Sequence, residues 1–296
     1  MPPTLTAAIE FNPTPEEASG LQEKFGLSYH VPFAAKAAHE IGLAGKRVLE
    51  VGGSLPPEFV RECLGAAQWT AVEELGYWRV VNQVERDTTA VLSQPYVKHL
   101  AEATAADVGG MDYLLLDGAI EDAPPTLDGQ FDAAFSIACF EHVSRLPKAL
   151  SAIHRLLKPG GKLFTLFSPI WSAHDGHHLP AITDASGRTF YFGKNNPIPP
   201  WGHLLAGPSA MYQHLLGVTD AKAAEEIVYY VYHAPHISRL FTEDYKRYFD
   251  LSPFQAVTCL PAFRIQMPPE MQAQLERLHP DKKHFSNNGV LGILQK

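Results

Sequence analysis

The residues best suited to chemistry stand at the ends of short apolar runs. Val48 to Val51, broken only by Glu50, ends in Gly52 and Gly53, with Ser54, Leu55, Pro56 and Pro57 behind them. Glycines in such a place let the backbone turn tightly and approach a ligand where a Cβ would collide. A second run, Trp69 to Val72, ends in Glu73 and Glu74. One carboxylate offers two acceptor oxygens to a pair of neighbouring hydroxyls. The interval from Glu50 to Glu73 is about that at which a dinucleotide-binding fold sets an acid on a ribose. Glu73 is preferred to Glu74 because it directly follows the strand's apolar residues. A third run, Tyr113 to Leu116, ends in Asp117-Gly118-Ala119, an acid followed by small residues that suits an adenine amino group. Candidate proton acceptors are His142, the His174-Asp175-Gly176-His177-His178 cluster and His203. An imidazole with an ordinary pKa of about 6.5 is the usual agent for taking a proton near neutrality.

These positions imply the elements that hold them. A buried strand over Arg47–Val51 runs through a glycine turn into a helix over residues 57–64, whose prolines suit a first helical turn. Further strands are read at Trp69–Val72, Tyr113–Leu116, Phe131–Ile137 and Lys162–Phe167. An amphipathic helix over residues 147–157 precedes the last of these, and Lys158-Pro159-Gly160-Gly161 is expected to stop it. Strands alternating with helices at this spacing predict a doubly wound parallel sheet with right-handed crossovers. Near the end of the chain, residues 254–265 and 290–294 read as a closing strand pair with a short helix between them. Residues 1–14 read as a loose arm, and a helix begins at Pro15 with Glu16 and Glu17 in its first turn. The aromatic stretch Phe25, Tyr29, Phe33, with His30, either packs on the sheet or folds over a ligand.

The chain has 296 residues, 46% of them hydrophobic, enough for one large α/β domain with an insertion. A net charge of −8 without a basic stripe argues against a nucleic-acid partner. Three scattered cysteines, Cys63, Cys139 and Cys259, suit a reducing compartment and form no metal-binding pattern. No apolar run approaches the roughly 20 residues that cross a bilayer, and no signal peptide is read. A cytoplasmic location is the expectation.

The ordered set VLEVGG, VEE, LLLDGA, FDAAFSIACFEHV and LLKPGGKLF, from Lys46 to Phe167, resembles the class I S-adenosylmethionine-dependent methyltransferases. The likeness is to the subgroup with a Glu-His pair after strand four and a KPGG turn before strand five. It implies a Rossmann-like sheet of seven strands, the last antiparallel, with S-adenosylmethionine as cofactor. It also implies that Glu50, Gly52, Gly53 and Ser54 line the methionine portion, that Glu73 takes the ribose, and that Asp117 and Gly118 sit at adenine. Ser136 and Ile137 would flank the cofactor from strand four. The family's glycine-x-glycine-x-glycine turn is here Gly52-Gly53-Ser54-Leu55-Pro56, with only the first glycine in register, so this loop takes a path of its own. A nicotinamide-binding fingerprint would need glycines where Ser54 and Pro57 stand.

The expected organisation is an N-terminal arm and helices over residues 1–44, then a methyltransferase domain over 45–296. Residues 168–236, too long for a connection and rich in Pro, Gly, His and aromatics, read as a substrate lid inserted after strand five. The expected activity is methyl transfer to a small molecule, at a hydroxyl oxygen. The alternatives are transfer to nitrogen or carbon, or a non-catalytic S-adenosylmethionine-binding protein. A hydroxyl acceptor must lose a proton, which makes His142, His174 and His178 the candidate catalytic residues. His142 suits a structural or pocket-lining role as well as that of a base. The HDGHH cluster is open to three readings: a turn, a base or acceptor site, or a metal site, although it fits no metal signature. Trp171, Trp201 and the later tyrosines suit lid packing or an aromatic wall for the acceptor.

Overall fold

A computed structural model describes residues 11–53, 55–77 and 91–296. The chain begins with α1 (Pro15–Phe25) and α2 (His30–Ile41). Thr14 starts α1 by accepting from the Glu17 N–H while the Glu17 carboxylate accepts from the Thr14 N–H, so two amides with no helical partner are satisfied at once. β1 (Arg47–Val51) leads into α3 (Pro57–Phe59), which runs on as a π turn over Val60–Leu64. β2 (Gln68–Glu73), β3 (Val97–His99), α4 (Ala105–Gly110), β4 (Tyr113–Asp117), β5 (Phe131–Ile137), α5 (Leu146–Leu156) and β6 (Leu157–Phe167) follow. Residues 168–236 hold the two-residue strands β7 (Ile182–Thr183) and β8 (Thr189–Phe190), then α6 (Gly202–Leu205), α7 (Pro208–Leu216) and α8 (Ala221–Tyr232). The chain closes with α9 (Thr242–Asp250), β9 (Ala256–Arg264), α10 (Pro269–Leu278) and β10 (Asn287–Gln295).

The main sheet has eight strands in the order β3-β4-β2-β1-β5-β6-β10-β9. All neighbours are parallel except at β10, which runs antiparallel to both β6 and β9. Both faces of the sheet are covered, and successive residues divide between them. Leu49, Val51, Leu114 and Leu116 join one core with α5 and α9, through Leu150, Ile153, Tyr245 and Phe249. Val48, Trp69, Tyr113 and Leu115 join the other with α2 and α3, through Val31, Ala34, Ala37 and Phe59. That division is what a doubly wound sheet requires, and it explains why its strands read as continuous apolar runs.

Two details depart from the sequence reading, and one stretch left open between helix and strand takes a single form. The sheet gains an eighth strand, β3, only three residues long and mostly exposed, too short to register as an apolar run. The KPGG stretch does not separate helix from strand. Leu157 already pairs with Phe131, residues 158–161 bulge out, and pairing resumes at Lys162 opposite Ala133. The stretch from Ala223 to Tyr232, whose periodicity mixes helix and strand signals, is helical throughout. Its N-terminus is fixed by the Asp220 carboxylate, which accepts from the Ala223 N–H at 3.0 Å. Residues 1–10 of the expected N-terminal arm lie outside the described residues.

Residues 168–236 have an apolar core of their own, with Leu179, Ile182, Met211, Leu215, Ala224, Ile227 and Val231 buried together. A smaller cluster, Trp201 and Leu204 against Leu275 and Phe285, fastens the segment to α10 and to the approach to β10.

Candidate active site

The turn after β1 is shaped by what it touches. Gly52 has φ +109° and Gly53 φ +53°, both in the left-handed region that favours glycine. A Cβ on Gly52 would lie 2.8 Å from the Cβ of Cys139, and one on Gly53 would lie 2.6 Å from Oε2 of Glu73. The two glycines therefore let the turn press against the ends of β5 and β2. Beneath the turn, Glu50 is wholly buried. Its Oε1 accepts from the Leu55 N–H at 3.1 Å and its Oε2 from the Trp69 indole N–H at 2.7 Å. Glu50 thus braces the loop from below. Ser54 lies outside the described residues.

A cavity of about 300 Å³ opens along the C-terminal ends of β1, β2, β4 and β5, where α/β sheets bind ligands. Of the residues singled out from sequence, Gly52, Glu73, Gly118 and His142 line it, as does Glu74. Gly53 packs on Glu73. The other expected cofactor residues support the wall from behind. Asp117 accepts from the Leu75 N–H at 3.0 Å and has His99 3.7 Å from its other oxygen. The Ser136 hydroxyl donates to the Val51 carbonyl at 2.9 Å, holding β5 to β1, and Ile137 is buried in the core on the α2 side.

His142 occupies the turn after β5. Its Nδ1 lies 2.7 Å from the His236 carbonyl and 3.0 Å from the Tyr77 hydroxyl, which itself donates to that carbonyl. A carbonyl can only accept, so Nδ1 carries the ring proton and Nε2 the lone pair in the neutral form. Burial holds the imidazole below its ordinary pKa, and burial also pushes the Tyr77 phenol up. The result is a neutral imidazole of fixed tautomer on the cavity wall.

The structure gives the three histidines of the HDGHH stretch different partners. His174 Nδ1 lies 3.2 Å from Asp175 Oδ1, with its ring beside Trp201. His177 accepts from the Leu179 N–H at 3.1 Å and has Asn196 at its other nitrogen. His178 donates from Nε2 to the Pro169 carbonyl at 2.5 Å, and its ring packs edge-on against His142 and stacks on Phe192. None of the three lines the cavity. The cause is local: the chain folds back immediately after β6, with the Ala173 N–H on the Ile170 carbonyl, so the cluster is consumed in that turn. Among the described residues, no three His, Cys, Asp or Glu side chains come together in a group that could hold a metal ion. His203 is buried against Trp171 and His177. Burial lowers the pKa of His177 and His178 well below the ordinary value, and takes His203 and His236 to about 4.

Sequence reasoning passed over Tyr77, Glu121, Cys139, Arg145 and Pro235, all on the wall. Arg145 and Glu121 meet near the rim, Nε to Oε1 at 3.7 Å, and Arg145 also reaches Asp122 at 3.2 Å. Burial raises the Cys139 thiol, which leaves it without thiolate character. Tyr77 follows Glu73 by four residues, a spacing that carries no sign of its own. The His236 contribution is a backbone carbonyl, which no residue type announces.

Residues 75–165 match the family model described as a methyltransferase domain. That segment, less than half of the chain, is similar to methyltransferase domains. Over 150 residues, 51% of this chain, it is 25% identical to the ubiquinone/menaquinone biosynthesis C-methyltransferase UbiE of Psychromonas ingrahamii. That match takes in 55% of the relative, so the chain spans about half the length of the curated relative it matches. A solved S-adenosylmethionine-dependent methyltransferase from Mesorhizobium loti aligns over 91% of this chain and 98% of its own, at 12% identity and a TM-score of 0.44. One from Archaeoglobus fulgidus aligns over 94% and 99%, at 13% identity and the same TM-score. The cofactor that the sequence resemblance implies is S-adenosylmethionine. The wall suits such a molecule: Gly52 leaves no side chain between the turn and Cys139, and the carboxylates of Glu73, Glu74 and Glu121 give a cationic sulfonium a favourable field.

Proposed function

We propose that this chain methylates a small molecule at a hydroxyl oxygen, with His142 as the general base and residues 168–236 as the lid over the acceptor. The observation that carries the reading is the tautomer of His142, held by the His236 carbonyl with the lone pair left on Nε2. S-adenosylmethionine supplies the methyl group from its sulfonium. The Gly52–Gly53 turn cradles the methionine portion, Glu73 takes the two ribose hydroxyls in bidentate fashion, and Gly118 lies along the adenine. His142 Nε2 accepts the hydroxyl proton as the acceptor oxygen takes the methyl. The segment from the lid, which supplies both Pro235 to the wall and the His236 carbonyl to the base, excludes water and aligns the acceptor.

The test is incubation with S-adenosylmethionine and a panel of hydroxylated small molecules, read by mass spectrometry for S-adenosylhomocysteine and for the methylated product. The expected product carries its new methyl on oxygen and depends on His142. A methyl found on carbon would side instead with the chemistry in the name of the Psychromonas ingrahamii relative. Cofactor binding without turnover on any acceptor would favour a binding protein.

A further inference from the structure

Glu141 joins parts of the chain that are far apart in sequence. Its carboxyl faces two backbone N–H groups, its own first and then that of Ser168, at the start of the insertion. Its backbone carbonyl accepts from the Ser238 N–H at 2.7 Å, just past the insertion's end. His142, the next residue, touches the same two ends: Nδ1 donates to the His236 carbonyl, and the ring packs edge-on to His178 with 5.0 Å between centroids. The Glu141 side chain is buried, and its Oε2 has no hydrogen-bond partner among the described residues. A buried carboxyl that is half satisfied is costly to keep unless it holds something in place.

We propose that Glu141 is a positioning residue: it ties both ends of the insertion to the turn after β5, and through that joint it fixes the orientation and tautomer of His142. The inference rests on the reading of His142 as the base. It does not make Glu141 a group that touches the acceptor, since Glu141 is not part of the cavity wall.

The surroundings fix the form in which the joint works. Among the described residues, the titratable groups that interact with the carboxyl are Tyr29 before α2, Tyr77 after β2, Cys139 in the same turn and Tyr245 of α9, and none of these is a cation. Burial raises the pKa of each of them, so all stay neutral well above pH 7. Burial, with no counter-charge among the described residues, pushes Glu141 to about 8. The carboxyl is therefore protonated at neutral pH. Above about 8 it ionises, and the charge seeks water that the joint excludes. Loosening at that pH releases His142 from the carbonyl that fixes its tautomer.

The experiment is ¹⁵N–¹H NMR of the imidazoles across pH 5–9.5 in the full chain, for wild type, Glu141→Gln and Glu141→Ala, with calorimetry of S-adenosylhomocysteine on each. In wild type, His142 is expected as the Nδ1–H tautomer, titrating below 6.5, with a second inflection near pH 8 reporting the neighbouring carboxyl. Glu141→Gln, whose amide oxygen still accepts from the Ser168 N–H, should keep the tautomer and lose the second inflection. Glu141→Ala should give a mixed tautomer and a midpoint moved toward 6.5, with affinity for S-adenosylhomocysteine changed less than threefold. A wild-type tautomer and midpoint in Glu141→Ala would overturn the proposal, as would an inflection near pH 8 that persists in Glu141→Gln. If Glu141→Ala does not fold, the glutamine variant decides alone. Failure of wild type to bind S-adenosylhomocysteine would strike the methyl-transfer reading instead, and the imidazole spectra would still judge the joint.

Discussion

The sheet's C-terminal edge and the insertion above it both contribute to one cavity, yet they are built by different means. At the sheet edge, the chemistry is set by short-range necessity. Gly52 and Gly53 are demanded by contacts under 3 Å, and Glu73 is placed by the end of a strand. In the insertion, four imidazoles, His177, His178, His203 and His236, sit in or beside a separate apolar core, and their partners are backbone carbonyls, an amide and one another. Only one histidine, His142, stands on the described wall, and it belongs to the sheet. A dense cluster of reactive side chains is thus a poorer guide to the site than a single residue at a strand end, because packing consumed the cluster.

The strongest way to break this contrast is at His142. Replacement by alanine should lower turnover by about 10²–10⁴, the usual worth of a general base, with little change in cofactor affinity. Alanine at His174 or His178 should change turnover far less, since neither lines the cavity. Transfer by wild type should hold down to about pH 6.5 and fall only in more acidic solution, because a base must be neutral and burial holds the His142 pKa below its ordinary value.

The two cores should also fail separately. Phe135 is wholly buried between the rings of Trp69 and Phe164, and Phe135→Ala should cost about 3–5 kcal/mol of global stability in denaturant unfolding. Ile227→Ala, in the core of the insertion, should cost about 2–4 kcal/mol by hydrogen exchange within residues 168–236. It should leave cofactor affinity nearly intact. Equal loss of cofactor binding in both variants would show that the two regions are one cooperative unit.

The sheet was legible in the sequence because its strands are buried on both faces and end in glycines and acids. β1 and β5 have the bounds their apolar runs predict. β3 was not legible, since three mostly exposed residues carry no pattern. The wall contribution of Tyr77 and the His236 carbonyl was invisible for another reason: both depend on how a distant segment docks, which residue type and spacing do not encode. Asp117 and Ser136 were found at the correct strand ends, but strand-end position does not say which way a side chain turns.

A smaller effect sharpens the contrast by pH. His203 and His236 are buried and neutral, with folded pKa values near 4 against an unfolded value of about 6.5. The unfolded state therefore binds more protons below pH 6.5, and stability falls as pH drops from there toward 4. Among the described residues, the Nδ1 atoms of both rings have no hydrogen-bond partner, so their charged forms are poorly supported. The expected loss is on the order of 1–3 kcal/mol, confined to the insertion and its seam, read as faster hydrogen exchange at pH 5 than at pH 7 after correction for intrinsic rates. Uniform acid loosening of the β1–β5 core would contradict this.

The central claim, that the sheet edge around Gly52 and Glu73 is the S-adenosylmethionine site, is tested most directly by calorimetric titration of S-adenosylhomocysteine into wild type and Glu73→Ala. Loss of charged hydrogen bonds to the ribose predicts a variant weaker by about 1.5–3 kcal/mol, roughly 10- to 150-fold in Kd, against a clear binding isotherm for wild type. Absence of heat with wild type, for S-adenosylmethionine and S-adenosylhomocysteine alike, would contradict the account.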